Sequence, residues 1–172
     1  MEATIRSGLG WPVGPSVERR YVEDLQIDLQ KGGGRPGEGA FYYSMANERS
    51  LIFLSDGYDG WQSLLHCLSV ENGTSYLAFR LFAGKQPLAE MCLVEAGKVV
   101  RLIRAMKDGR WTFHEVGDPL PFEEVGSYSK RVIADRVSHD LLLSYSRKNG
   151  IDFASPLFFR TDKKSLWVNE GW

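Results

Sequence analysis

Histidines and cysteines are the side chains of this chain that could hold a metal or act as nucleophiles. His66 and Cys67 are adjacent, and adjacent side chains on a helix point about 100° apart. Zinc needs further Cys, His or carboxylate ligands at short spacing, which an adjacent pair does not supply. Cys92, His114 and His139 stand outside any HExxH or GxSxG frame. We therefore predict no catalytic residue, no metal and no cofactor, and two cysteines that act as buried small hydrophobic side chains.

A glycine-rich loop at residues 31–39 is the next candidate for chemistry, because such loops can hold phosphate. A P-loop needs Lys followed by Ser or Thr at the start of a helix. A dinucleotide-binding loop needs GxGxxG between a strand and a helix. The loop has neither context, so we interpret it as a flexible connector.

Acidic and aromatic side chains alternate in the stretch SDGYDGW at residues 55–61. Tyr58 and Trp61 are amphipathic side chains of the kind enriched at interface hot spots, while Asp56 and Asp59 add negative charge. This combination suits a basic partner surface by charge complementarity, so we predict these four residues as partner-binding. In the alternative interpretation, Asp59 only caps a following helix and Trp61 lies on the buried face of that helix.

Composition limits the classes of partner. The 172 residues are 43% hydrophobic, and 21 basic residues balance 22 acidic ones to give a net charge of -1. This balance argues against a nucleic-acid partner and against an anionic membrane. We expect a single domain over residues 1–172. Since no apolar run approaches a membrane span and no signal peptide is recognisable, we also expect a cytoplasmic location.

The segment 99–136 is the one around which the rest of the chain is predicted to be organised. Residues 99–106 alternate as a strand covered on both faces, and the Lys107-Asp108-Gly109 turn supplies the positive φ values that a tight hairpin needs. Residues 111–116 return beside the first strand. Trp111 and Phe113 are expected to lie largely inside the core.

Further strands are predicted at 41–45, 51–54, 74–82 and 88–95, and a final pair at 157–160 and 166–168. Since short polar loops join the four consecutive strands from residue 74 to residue 116, these strands must pair as an antiparallel meander.

Three helices are predicted: one after Asp59, one from Phe122, and one capped by Ser138 that ends at Asn149-Gly150. Residues 1–16 are interpreted as an irregular arm. Residues 17–30 fit either a strand or an amphipathic helix. The predicted fold class is α+β, with a mainly antiparallel sheet of about five to seven strands and helices packed on it.

A distinctive set of motifs lies within residues 74–172. It comprises Arg101 and Arg104 before the stretch AMKD, then RWTF at 110–113, Gly117, PLPFE at 119–123, Tyr128, Arg131, Asp135-Arg136, and SLWV at 165–168 before Trp172. As a set, these motifs resemble those of small bacterial proteins that are immunity partners of secreted polymorphic toxins. The resemblance implies that the chain binds and neutralises a cognate toxin and catalyses no reaction.

Several of these motif residues have side chains that can pair with one another. Arginine and carboxylate side chains near the junction of hairpin and helix favour a network that stabilises the fold. The predicted network comprises Arg101, Arg104, Trp111, Glu123, Arg131, Asp135 and Arg136. The alternative functions are a small ligand-binding domain or enzyme that uses a cleft between sheet and helices, and an interaction or scaffold module.

Overall fold

The computed structural model describes residues 16–20, 38–44, 47–55, 62–152, 155, 158 and 165–169. The chain forms two compact units, Met1–Leu68 with Gly150–Trp172, and Ser69–Asn149. Each unit is considered separately below, and the single domain stays a prediction. Within the described residues, no helix is long and apolar enough to cross a membrane.

Strands and helices of the described residues give the α+β fold that the sequence predicts. The strands are β1 (Ser16–Arg20), β2 (Glu38–Ser44), β3 (Asn47–Ser55), β4 (Ser75–Phe82), β5 (Leu88–Glu95), β6 (Lys98–Asp108), β7 (Arg110–Val116) and β8 (Ser165–Asn169). The helices are α1 (Gln62–Asn72) and α2 (His139–Lys148), with 3-10 turns at Val125–Ser129 and Ile133–Asp135.

The first unit contains an antiparallel sheet in the order β1-β8-β2-β3. The hairpin of β2 and β3 confirms the predicted strands for residues 41–44 and 51–54, and residue 45 lies outside the described part. The strand interpretation of residues 17–30 is confirmed for 17–20, and residues 21–30 lie outside the described part. The predicted strand at 166–168 is confirmed as β8, which pairs with β1 on one edge and with β2 on the other. Its predicted partner strand at 157–160 lies outside the described residues except for Phe158.

The second unit contains the predicted antiparallel meander, in the order β4-β5-β6-β7. The described strands therefore number eight in two sheets, whereas about five to seven were predicted. At the β6–β7 turn only Gly109, with φ +68, has a positive φ, whereas both residues of the Asp-Gly pair were expected to. A single left-handed glycine suffices for this connection.

Helix α2 begins and ends where the sequence signals it, and α1 ends where its signal lies. Asp59, the predicted N-cap of α1, lies outside the described residues. Helix α1 ends before Gly73, whose φ of +59 provides the left-handed stop. In α2, the Ser138 hydroxyl accepts a hydrogen bond of 3.2 Å from the Leu141 amide, which confirms the predicted N-cap.

The predicted helix from Phe122 is wrong, because the structure has only short 3-10 turns between β7 and α2. Gly126 weakens a helix here, and Pro119 and Pro121 limit its start. The side chains of Glu123 and Tyr128 turn inward to polar partners. These contacts hold the segment in an irregular path that packs against the sheet.

One face of the second sheet, here called the helix face, is covered by α2 and the irregular segment. Met91, Ile103 and Ala105 of the strands have no exposed surface. They form one cluster with Tyr128, Val137, Leu141, Leu142 and Tyr145. Trp111 and Phe113 pack against this cluster but are only half-buried, less than predicted, because β7 is an edge strand of the sheet.

Gly117, directly after β7, is predicted to be intolerant of any side chain. Its φ is +75, and an added Cβ would lie 1.9 Å from the Val100 carbonyl oxygen. Gly117→Ala should lower the free energy of unfolding by more than about 2 kcal/mol, measured by urea denaturation. In the control Gly109→Ala, φ is +68 but nothing lies within 4 Å, so only backbone strain of about 1–2 kcal/mol remains. Equal losses in the two variants would contradict the close approach.

Candidate functional site

The guanidinium of Arg101 has no exposed surface, and all five of its N–H groups have acceptors. Nε donates to Glu123 at 2.9 Å, and Nη1 donates to the carbonyl oxygens of Val116 at 3.2 Å and Gly117 at 2.6 Å. Nη2 donates to Glu123 at 2.6 Å and to Glu115 at 2.9 Å. Arg101 therefore ties its own strand to β7 and to the segment after β7.

The Glu123 carboxylate is equally buried and equally saturated. Besides Arg101, it accepts bonds from the Leu120 amide at 2.9 Å and the Tyr128 hydroxyl at 2.7 Å. Tyr128 thereby uses its only proton, so Tyr145 must donate across the 3.1 Å between the two hydroxyls. The Glu124 amide in turn donates to Tyr145 at 2.6 Å. A continuous chain of hydrogen bonds thus joins α2 to Arg101.

The surroundings of this cluster keep Arg101 and Glu123 charged and keep Tyr128 and Tyr145 neutral. Burial alone would raise the pKa of Glu123, but bonds from Arg101, Leu120 and Tyr128 outweigh burial and lower it. Burial alone would lower the pKa of Arg101, and its carboxylate partners raise it instead. Burial is the main cause that raises the pKa values of Tyr128 and Tyr145. A general acid or base near neutral pH needs the opposite shifts in Glu and Tyr.

A second ionic cluster lies on the opposite face of the sheet, here called the Glu90 face. The Glu90 side chain is 1% exposed, and its Oε1 accepts a hydrogen bond from Arg80 Nε at 2.7 Å and forms an ion pair with Arg80 Nη2 at 2.6 Å. Its Oε2 pairs with Arg104 Nε. Beside it, burial and then the charge of Glu90 raise the pKa of Cys92, which keeps this thiol protonated and unreactive.

The predicted network residues are not all brought together. Arg101 and Glu123 form its centre, but Arg104 pairs with Glu90 on the other face. The Arg136 guanidinium lies 5.3 Å above the Phe113 ring, and its Nε donates to the Lys130 carbonyl. The side chains of Arg131 and Asp135 make no hydrogen bond or ion pair with other described residues.

The predicted partner-binding residues Asp56, Tyr58, Asp59 and Trp61 lie outside the described residues. His66 is exposed, and Cys67 beside it is a partly buried free thiol. In the described part of the chain, no group of three His, Cys, Asp or Glu side chains could hold a metal ion.

Sequence reasoning missed the residues that complete both clusters. Arg80, Glu90 and Arg104 are direct cross-strand neighbours, so pairing the meander in register would have found their cluster. Glu115 lies opposite Ile103, so the register of β6 and β7 also places it diagonally next to Arg101. Tyr145 reaches Tyr128 only through the tertiary fold, and its sequence spacing carries no comparable signal.

Searches with the chain against protein-family models, curated proteins and solved structures find no match. The resemblance to immunity proteins therefore stays an expectation from the motifs of residues 74–172.

Glu123→Gln is predicted to destabilise the protein strongly, because it leaves the Arg101 cation buried without its main counter-charge. Breaking a buried pair in this way lowers the free energy of unfolding by about 3–5 kcal/mol. The matched control is Glu124→Gln. Glu124 is 53% exposed and lies 3.3 Å from Lys148, so its loss should stay within about 1 kcal/mol. Similar urea midpoints for the two variants would contradict the central role of Glu123.

Stability should also fall at both ends of the pH range. The folded pKa of Glu123 is lowered, so its contribution is present above its unfolded pKa of about 4.3 and is lost as pH falls through the folded pKa. The pKa of Tyr128 is raised, so its contribution is present below about pH 10 and is lost as pH rises further. Tyr128→Phe should flatten the alkaline limb of stability against pH. It should reduce the acid limb but not abolish it, because the bonds from Arg101 and Leu120 to Glu123 remain. An unchanged alkaline limb would contradict this assignment.

Proposed function

We propose that this chain is an immunity protein that binds a secreted bacterial toxin and blocks the toxin's active site. Its motifs in residues 74–172 resemble those of such proteins. We place its action in the cytoplasm of the toxin-producing bacterium, where an immunity protein protects its own cell.

The observation that carries a binding role over a catalytic one is the state of the Arg101 cluster. Its cation has no N–H left for a ligand, and its carboxylate and phenol pKa values are shifted away from acid–base chemistry. The most buried ionic cluster of the described residues thus supports a rigid scaffold. A scaffold of this kind suits a protein that presents a fixed surface to a partner.

The test is to express the product of the open reading frame immediately upstream, alone and together with this chain. The proposal expects the upstream protein alone to stop bacterial growth, and co-expression of this chain to restore growth. It also expects the two purified proteins to bind each other in calorimetry. An upstream product that is harmless and does not bind would overturn the assignment.

The predicted partner-binding residues provide a sharper prediction. The double variant Asp56→Lys and Tyr58→Ala replaces an acidic group and an aromatic anchor, and should weaken toxin binding by at least about tenfold. The control Asp118→Lys makes the same charge change at an exposed residue after β7 and should bind normally. Thermal melting confirms that both variants are folded. Unchanged binding by the folded double variant would remove residues 56–58 from the interface.

A further inference from the structure

The Glu90 face carries one row of ionisable side chains across all four strands of the second sheet. Arg80 lies opposite Glu90, Glu90 opposite Arg104, and Arg104 opposite His114. Directly opposed residues of paired strands point to the same face of a sheet. Two guanidinium groups meet a single carboxylate in this row, so the row carries surplus positive charge.

This surplus is accessible at the β7 end of the row. Arg104 is 31% exposed and uses Nε for Glu90, and its Nη1 and Nη2 make no hydrogen bond within the described part of the chain. His114 is exposed and takes part in no hydrogen bond or ion pair with the residues that the structure describes. Four guanidinium N–H donors and an imidazole therefore remain for an external acceptor.

An exposed apolar side chain lies beside His114 on the same face. Val116, two residues after His114 on β7, is 37% exposed. Among the described strands, β7 pairs only with β6 and is an edge of the second sheet. Successive residues on one face of a strand are about 6.8 Å apart, which sets the spacing between His114 and Val116.

We propose that Arg104, His114 and Val116 form a docking surface for an extended acidic segment of a partner protein. A carboxylate of that segment meets the Nη groups of Arg104 and the ring of His114. An apolar side chain two residues away covers Val116. In an extended chain every second side chain points to the same face, and this holds for the segment as it does for β7. The carboxylate and the apolar side chain of a segment beside β7 are therefore two residues apart.

Charge decides between this occupant and a second copy of the chain. If two copies paired along the middle of their β7 strands, the positively charged row of one copy would lie next to that of the other, which is unfavourable. An acidic segment has the complementary sign. The charge and geometry of this surface favour an acidic segment whether or not the partner is a toxin.

The test uses two synthetic peptides of equal composition, Ac-SESVSESV-NH2 and Ac-SEVSSEVS-NH2, titrated into the whole protein labelled with ¹⁵N. Only the first peptide places Glu and Val on one face of an extended chain. It should give saturable shifts centred on the amides of residues 104, 114 and 116, and bind about fivefold tighter than the second. Equal affinities, or shifts elsewhere on the protein, would overturn the proposal.

Variants locate the effect on the surface itself. Val116→Asp and His114→Glu each place a negative charge beside Arg104, and should weaken binding of the first peptide at least about tenfold. The matched control Val132→Asp changes a valine that is 55% exposed and lies outside the sheet, and should bind normally. Normal binding by folded Val116→Asp would contradict the proposal. A wild-type dimer that Val116→Asp dissociates in sedimentation would make a second copy the occupant instead.

Discussion

A guanidinium ion without exposed surface is tolerated only when every N–H group has an acceptor, and Arg101 imposes this condition on the second unit. Two of its acceptors are backbone carbonyls at the end of β7, so the chain must turn there without a side chain at Gly117. The other acceptors are Glu115 and Glu123. The segment after β7 therefore folds back over the sheet because one buried cation requires it, and Tyr128 and Tyr145 extend the constraint to α2.

Elements whose signals are local could be predicted from sequence. The hairpin of β6 and β7 follows from alternating side chains around Gly109, and α2 follows from the Ser138 cap and its apolar face. The meander follows because short loops leave four consecutive strands no other way to pair. In each case the deciding interactions lie within a few residues of each other. The positive φ of Gly109 and the Ser138 capping bond agree with the structure, whereas the positive φ expected at Asp108 is absent.

Elements decided by distant contacts could not be predicted in the same way. Strand β8 lies between β1 and β2, which no local pattern indicates. The helix expected from Phe122 matched an apolar period, but inward bonds of Glu123 and Tyr128 outweigh the weak helix propensity around Gly126. The candidate network was predicted correctly for Arg101 with Glu123, whereas Arg104 belongs to the other face because odd and even residues of a strand point apart.

The two ionic clusters differ in a way that separates stability from recognition. In the Arg101 cluster, the donors and acceptors satisfy one another. Changing one member therefore lowers the free energy of unfolding. In the Glu90 cluster, a carboxylate with 1% exposure holds Arg80 and Arg104 in place, while the outer donors of Arg104 stay unused by the described residues. An arginine fixed in this way loses little further side-chain entropy when it binds a partner. The same residue type therefore supports the core on one face and is pre-organised for binding on the other, and the distinction follows from which N–H groups the fold has already used.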